Sequence, residues 1–294
     1  MAIDARLDTD VSPAPLANRV PPHAWFLVSA VFHYLGPSFA VLLFAQIAPP
    51  GVAWLRIASA GLVFAAWRRP WRFLAALSGR DRLVVMGLGV VLAAMNMVFY
   101  EAIARLPLAT VGAIEFLGPI AVAAAGLRSR RNLAALVLAV AGVAVLTEVC
   151  LAGDELAYAF AFANCGLFVL YILLGHRIAS TRGGASGIDR LSAAMLVAAV
   201  AALPFGLRDA SPAFGDPWLL AAAVGVGVTS SVIPYVCDQL AMRRLPRASF
   251  ALLLALLPAT ATAIGLVVLH QVPTPADLVG IGLVVAGVAL HRAG

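Results

Sequence analysis

The stretch NMVFYEAIARLPLATVGAIEFLGPIAVAAAGL, from Asn96 to Leu127, is the most informative part of this sequence about its architecture. It holds two apolar runs separated by a short turn around Arg105, and Pro107 stands where a second helix would begin. Proline suits the first position of a helix because the amide hydrogen that it lacks would be unpaired there. The stretch therefore predicts a helical hairpin with one carboxylate, Glu115, inside its second helix.

The same pattern recurs later in the chain. The motif R-L-P-x-A at 105–109 returns 139 positions later, at 244–248, and V-A-G-V-A at 140–144 returns at 285–289. Further matches lie between the two motifs, at Leu117/Leu256, Pro119/Pro258, Ala124/Ala263, Gly126/Gly265 and Leu127/Leu266. Two hairpins that share these motifs predict a duplicated architecture.

The composition indicates a protein dissolved in lipid. Of the 294 residues, 63% are hydrophobic and 12% are charged, whereas a soluble domain carries about 25% charged residues. All 20 basic residues are arginines that lie mostly in short gaps between apolar runs, so the net charge of +6 does not indicate a nucleic-acid partner. The three scattered cysteines, Cys150, Cys165 and Cys237, predict packing residues and neither a disulfide framework nor a metal site. No cofactor is expected.

Ten apolar segments follow a polar leader, residues 1–23, that is expected to be disordered and cytoplasmic. Most segments reach the roughly 20 residues that cross a bilayer, and lipid leaves the backbone no alternative to the helix. They form two groups of five, at 24–151 and 156–292, which predicts an all-α membrane protein. The segments are Ala24–Ile47, Val52–Trp67, Leu83–Ile103, Pro107–Leu127, Asn132–Leu151, Leu156–His176, Ile188–Leu207, Pro217–Met242, Ala248–Leu269 and Pro275–Leu290.

The arginines predict how the segments are oriented. If ten segments cross the membrane, 17 of the 20 arginines fall on one side, Arg105 and Arg208 fall on the other, and Arg56 lies within a segment. Positively charged loops stay cytoplasmic, so both termini of this multi-pass protein of the cell membrane are expected in the cytoplasm. The repeats are offset by five helices, an odd number, so the halves are expected to be inverted. Inverted repeats are typical of transporters that bind substrate near the midplane.

Several motifs resemble a known family. They are W-L-R-I-A at 54–58, M-N with F-Y at 95–100, E-F-x-G-P at 115–119, P-Y with Asp238 from 234, and L-P at 245–246. The chain resembles the drug/metabolite transporter superfamily, specifically the ten-helix EamA-type permeases and their threonine/homoserine exporter branch. It departs from that pattern at Leu257-Pro258, where the family usually has Glu-Pro, and at His270-Gln271, where it usually has Gly-Glu.

The resemblance implies export of small polar metabolites, most simply amino acids such as threonine and homoserine, driven by an ion or solute gradient. With the inverted repeats it predicts transport by alternating access. A multidrug or other metabolite exporter of the same fold, a flippase and a channel are the alternatives. An enzyme is not expected, because the sequence contains no H-E-x-x-H, G-x-S-x-G or Walker motif.

Two charged residues inside apolar segments are the first candidates for binding. Glu115 follows Pro107 by about eight residues, or about 12 Å of helix. A charge at that depth persists mainly where it faces a cavity or carries a proton. Glu115 can bind a substrate ammonium or exchange a proton, or it can be a structural carboxyl bonded to another helix. Arg56 can hold a substrate carboxylate, pair with Glu115, or extend to the headgroups.

Five further residues are candidates for binding substrate or a proton. Asp238 can face an inner vestibule or pair with the arginines that follow it. Asn96 and Tyr100 share one helix face, being four residues apart, and Tyr235 occupies the repeat position of Asn96. His33 precedes Gly-Pro, which predicts a helix kink there, and can carry a proton or simply pack.

The expected partners are a small-molecule substrate and the lipid bilayer. A coupling proton is a further expectation. Small-residue pairs such as Gly225/Gly227 permit close helix packing within one chain or in a homodimer.

Overall fold

The computed structural model describes residues 20–74, 77–126, 130–148, 154–180, 186–245, 250, 253 and 256–290. The candidate packing residue Cys150 and most of the predicted leader lie outside these residues. Within them the fold is all-helical, and no strand occurs. Its main helices are α1 Pro22–Leu43, α2 Pro49–Arg68, α3 Gly79–Ile103, α4 Leu108–Gly126, α5 Arg130–Glu148, α6 Glu155–Ser180, α7 Gly187–Gly206, α8 Pro217–Met242, α9 Leu256–Leu269 and α10 Pro275–Leu290. Two short helical turns, Trp71–Leu74 and Ser211–Gly215, lie in connections.

Six of these helices are long and apolar enough to cross a bilayer: α1, α2, α3, α6, α7 and α8. The other four helices carry shorter apolar stretches, for example Leu108–Gly118 in α4 and Leu257–Leu269 in α9. The protein is therefore a multi-pass membrane protein.

Proline and side-chain caps set where several helices begin. Helices α1, α2 and α8 have proline in their first turn, and α4 begins one residue after Pro107. At α8 the side chain of Asp216 accepts hydrogen bonds from the amides of Trp218 and Leu219. At α7 Ser186 and Asp189 form a reciprocal capping box. Such caps satisfy amides that a helix start would otherwise leave unpaired.

Most of the extensive helix contacts run between the first five helices and the last five. Helix α2 packs along α7, and α5 packs along α10. Helix α3 contacts α6 and α7, and α8 makes the corresponding contacts with α1 and α2. Helix α4 contacts α6 and α9, while α9 also contacts α1. The interior that these pairs enclose buries four complete tyrosine side chains, Tyr34, Tyr100, Tyr171 and Tyr235.

Candidate functional site

Helix α8 is interrupted midway along its length. The turn Val228–Val232 is π-helical, and the amide of Ile233 donates to the carbonyl of Val228. Pro234 follows and has no amide hydrogen, so one carbonyl of the preceding turn lacks a helical donor. Interruptions of this kind occur frequently at functional sites. Carbonyls of such a turn are open to a partner from another helix.

Arg56 of α2 supplies that partner. Its Nη2 donates to the Ser230 carbonyl at 2.7 Å, and its Nε donates to Ser231 Oγ at 2.8 Å. The guanidinium carbon lies 5.4 Å from the centre of the Tyr100 ring, in cation–π range. With 3% of its surface exposed, Arg56 is part of the interior and does not extend to the headgroups. Within the described structure it makes no ion pair with Glu115.

Glu115 of α4 is also buried, with 2% of its surface exposed. One carboxylate oxygen accepts from Tyr34 Oη of α1 at 2.9 Å, and the other accepts from Asn164 Nδ2 of α6 at 2.9 Å. His33 Nε2 lies 4.0 Å from the carboxylate. Two neutral donors therefore hold the carboxylate in place, and three helices meet at it.

Asn96 of α3 and Tyr235 of α8 contact each other directly. Asn96 Nδ2 lies 3.3 Å from Tyr235 Oη and donates to the Leu92 carbonyl at 2.7 Å. These two residues occupy equivalent positions of the sequence repeat.

A small cavity joins these groups. It is lined by residues of α1, α2, α3, α4, α6 and α8, namely His33, Arg56, Met95, Asn96, Phe99, Glu115, Asn164 and Tyr235. Its free space is about that of one water molecule. The structure thus brings five of the seven predicted candidates together. Tyr100 does not line the cavity, but its ring contacts the Arg56 guanidinium. Asp238 belongs to a neighbouring cluster.

Asp238 of α8 lies with residues of α1 and α6. Its carboxylate accepts from Ser29 Oγ at 2.5 Å and from Tyr171 Oη at 2.7 Å. It is 4% exposed and forms no ion pair with the arginines that follow it in the described residues. Glu101 of α3 pairs with Arg105, and Arg105 Nε also lies 3.4 Å from Asp154.

Sequence reasoning did not find Ser29, Asn164, Tyr171, Ser230 or Ser231. The sequence could have identified Asn164, because a side-chain amide within the apolar run A-F-A-N-C-G-L-F is costly in lipid unless it has a hydrogen-bond partner. The paired serines just before Pro234 were a second such signal. Among the described residues, no group of three His, Cys, Asp or Glu side chains is arranged to hold a metal ion.

A multi-pass helical protein with opposite charges around a small buried cavity has the features of a membrane transporter. Comparison with known proteins defines it further: residues 155–292 match the model of the EamA-like transporter family. The threonine/homoserine exporter RhtA of Escherichia coli strain K12 is 32% identical over 257 residues, covering 85% of this chain and 84% of the exporter. The exporter of the same name from Salmonella typhimurium strain LT2 is 31% identical, with the same coverage. The chain belongs to the EamA-like transporter family.

A solved crystal structure shows the same fold. It superimposes with a TM-score of 0.58 at 19% identity, covering 91% of this chain and 96% of the other.

Proposed function

We propose that this chain is a secondary transporter that exports small zwitterionic amino acids, with threonine and homoserine as the first candidates. The observation that carries the proposal is that Arg56 and Glu115 line one buried cavity. The cavity therefore offers a cation for a carboxylate and an anion for an ammonium. Two relatives named as threonine/homoserine exporters, each matched over 85% of this chain, support that choice of substrate.

The hydrogen bonds of Arg56 suit it to bind a carboxylate. It now uses two nitrogens in fork geometry on a carbonyl and a hydroxyl. A guanidinium fork matches two carboxylate oxygens equally well, and the charge-assisted bonds are the stronger ones. A substrate carboxylate would therefore compete with the interrupted turn of α8 for Arg56. Binding would change the contact between α2 and α8.

The free space of about one water molecule is too small for an amino acid. The helices around the cavity must separate to admit substrate, as alternating access requires. We propose that the two five-helix halves are inverted repeats that perform this movement, with both termini in the cytoplasm. Three observations support the repeats: the paired helix contacts, the contact between Asn96 and Tyr235, and a further match between α2 and α7. The distribution of arginines supports the orientation of the termini.

That further match includes a second buried arginine. The run R-I-A-S-A-G-L-V from Arg56 corresponds to R-L-S-A-A-M-L-V from Arg190 in α7. Arg56 and Arg190 are 3% and 4% exposed. Each proposed half therefore carries a buried arginine in its second helix.

Counterflow tests the proposal. Proteoliposomes preloaded with unlabelled threonine should accumulate labelled threonine with saturable kinetics, and Glu115→Gln should reduce the exchange rate about tenfold or more. Glu101→Gln is the matched control, because Glu101 pairs with Arg105 outside the cavity, and exchange should stay within about twofold. Folded wild-type protein that exchanges neither threonine nor homoserine would overturn the proposal. A non-saturable conductance would indicate a channel instead.

A further inference from the structure

Asp238 forms a second buried carboxylate centre outside the cavity. Its two carboxylate oxygens each accept one hydroxyl hydrogen, from Ser29 of α1 and from Tyr171 of α6. These two donors are 2% and 1% exposed. The cluster therefore joins the first helix of each half to α8, in a part of the bundle that the cavity does not reach.

Among the described residues, no cation forms an ion pair or a hydrogen bond with Asp238. Helix α1 presents the Ser29 hydroxyl, since His33 of the same helix lies beside Glu115. Helix α6 presents the Tyr171 phenol, and α8 itself adds Tyr235 and Cys237. In the first turn of α7, Asp189 pairs with Arg68, and Arg190 forms no ion pair with Asp238 in the described structure. A carboxylate in the bilayer interior without a cation is costly to keep charged, so such groups often carry protons.

The hydrogen bonds around Asp238 suit both of its protonation states. When the carboxylate is ionised, Ser29 and Tyr171 both donate to it. When it is protonated, its own O–H can donate to Ser29 Oγ, and the serine hydrogen can turn to the Pro234 carbonyl, 3.2 Å away. The proton enters as one new O–H bond and leaves as water takes it up, and no other covalent bond changes.

A pair of tyrosines connects Asp238 with the cavity. Tyr235 lines the cavity, and its ring centre lies 5.4 Å from that of Tyr171, which donates to Asp238. Any movement of Tyr235 on substrate binding would therefore reach the Asp238 cluster through one intervening side chain.

We propose that Asp238 binds the coupling proton of this exporter, at a site separate from the one that binds substrate. The inference rests on the proposed function. It assigns different roles to two carboxylates: Glu115 recognises the substrate ammonium, and Asp238 exchanges a proton with water as α1, α6 and α8 separate and rejoin. Binding of substrate and binding of the proton then affect each other through Tyr235 and Tyr171.

The test compares exchange with proton-driven uptake in the same proteoliposomes. An acidic lumen should drive concentrative uptake of labelled threonine by the wild type. Asp238→Asn should lower the ratio of driven uptake to counterflow about tenfold or more, whereas Glu115→Gln should lower both rates together. Ser29→Ala keeps the carboxyl and should keep driven uptake, with a changed pH midpoint. An Asp238→Asn ratio equal to that of the wild type, or wild-type uptake driven by a sodium gradient alone, would overturn the inference.

A measurement without substrate keeps this inference separate from the proposed function. Infrared difference spectra between acidic and alkaline buffer should show a carboxylic-acid carbonyl band in the wild type that Asp238→Asn lacks and Glu115→Gln retains. Failure of counterflow together with that band would reject the amino-acid substrate and leave the proton site standing. Absence of any band assigned to Asp238 would reject the proton site.

Discussion

At the scale of single residues, the site depends on Arg56 bonding the interrupted turn of α8. Pro234 removes one helical hydrogen bond of α8, and the guanidinium donates to the Ser230 carbonyl in the turn before it. The arginine also brings a positive charge beside a cavity that contains Glu115. One side chain therefore serves both the stability of α8 and the chemistry of the cavity.

Replacing Arg56 by methionine separates these two contributions. Arg56→Met should lower the free energy of unfolding by about 1–3 kcal/mol, because a buried carbonyl loses its donor. It should also abolish threonine counterflow. Arg56→Lys keeps the charge but cannot form the fork, so it should recover stability better than exchange. Thermal melting and counterflow measure the two effects, with the exposed Arg208→Lys as control. Normal exchange by Arg56→Met would remove Arg56 from substrate binding.

The candidate residues show what the sequence could reveal about a site. His33, Arg56, Asn96, Glu115 and Tyr235 were recognisable because polar or charged groups in apolar runs are costly without a role. Ser29 and Tyr171 were not, because single hydroxyls are ordinary in membrane helices and only the packing of α1 and α6 on α8 brings them to one carboxylate. The sequence also left open whether Asp238 pairs with the following arginines, and tertiary contacts decide that question.

At the scale of helices, close packing of α2 against α8 positions Arg56. The glycine at 227 makes this approach possible, since a Cβ there would lie 2.8 Å from the Arg56 carbonyl oxygen and still closer to Ser59 Oγ. Gly225 in the same helix has no such neighbour within 4 Å. The small-residue pair noted in the sequence therefore has one packing member and one free member.

These two glycines form a matched experiment. Gly227→Ala should lower the free energy of unfolding by about 1–3 kcal/mol through overpacking and should impair transport by displacing Arg56. Gly225→Ala should leave both within error or raise stability by about 0.5–1 kcal/mol, because alanine favours the helix. Thermal melting measures the change in stability of both variants, and counterflow measures the change in transport. Equal effects at the two positions would show that the contact between α2 and α8 does not control the site.

Helix starts were more predictable than helix interruptions. Prolines and capping residues act through local geometry, so α1, α2, α4 and α8 begin within three residues of the predicted segment starts. The π-helical turn of α8 was less predictable, because Pro234 signals an interruption of the helix but not the π-helical form of the turn before it. The role of that turn is visible only once Arg56 is seen to bond the Ser230 carbonyl.

At the scale of the whole molecule, the proposal requires two related halves around one zwitterion site. The repeated sequence motifs predict the two halves, and the pattern of helix contacts has the symmetry that such halves would produce. Substrate identity is beyond that reasoning, because it depends on the shape of a cavity that must widen first. What the present cavity does define is the charge of its lining residues, Arg56 and Glu115.

The most direct test of the account is therefore competition against labelled threonine counterflow by analogues that lack one charge. Threonine methyl ester keeps the ammonium and loses the carboxylate, while 3-hydroxybutyrate keeps the carboxylate and loses the ammonium. Unlabelled threonine and homoserine should compete fully, and each one-charge analogue should compete about tenfold or more weakly, because a buried charge of the site stays unpaired. Equal competition by the ester or by the hydroxy acid would contradict recognition of a zwitterion by Arg56 and Glu115.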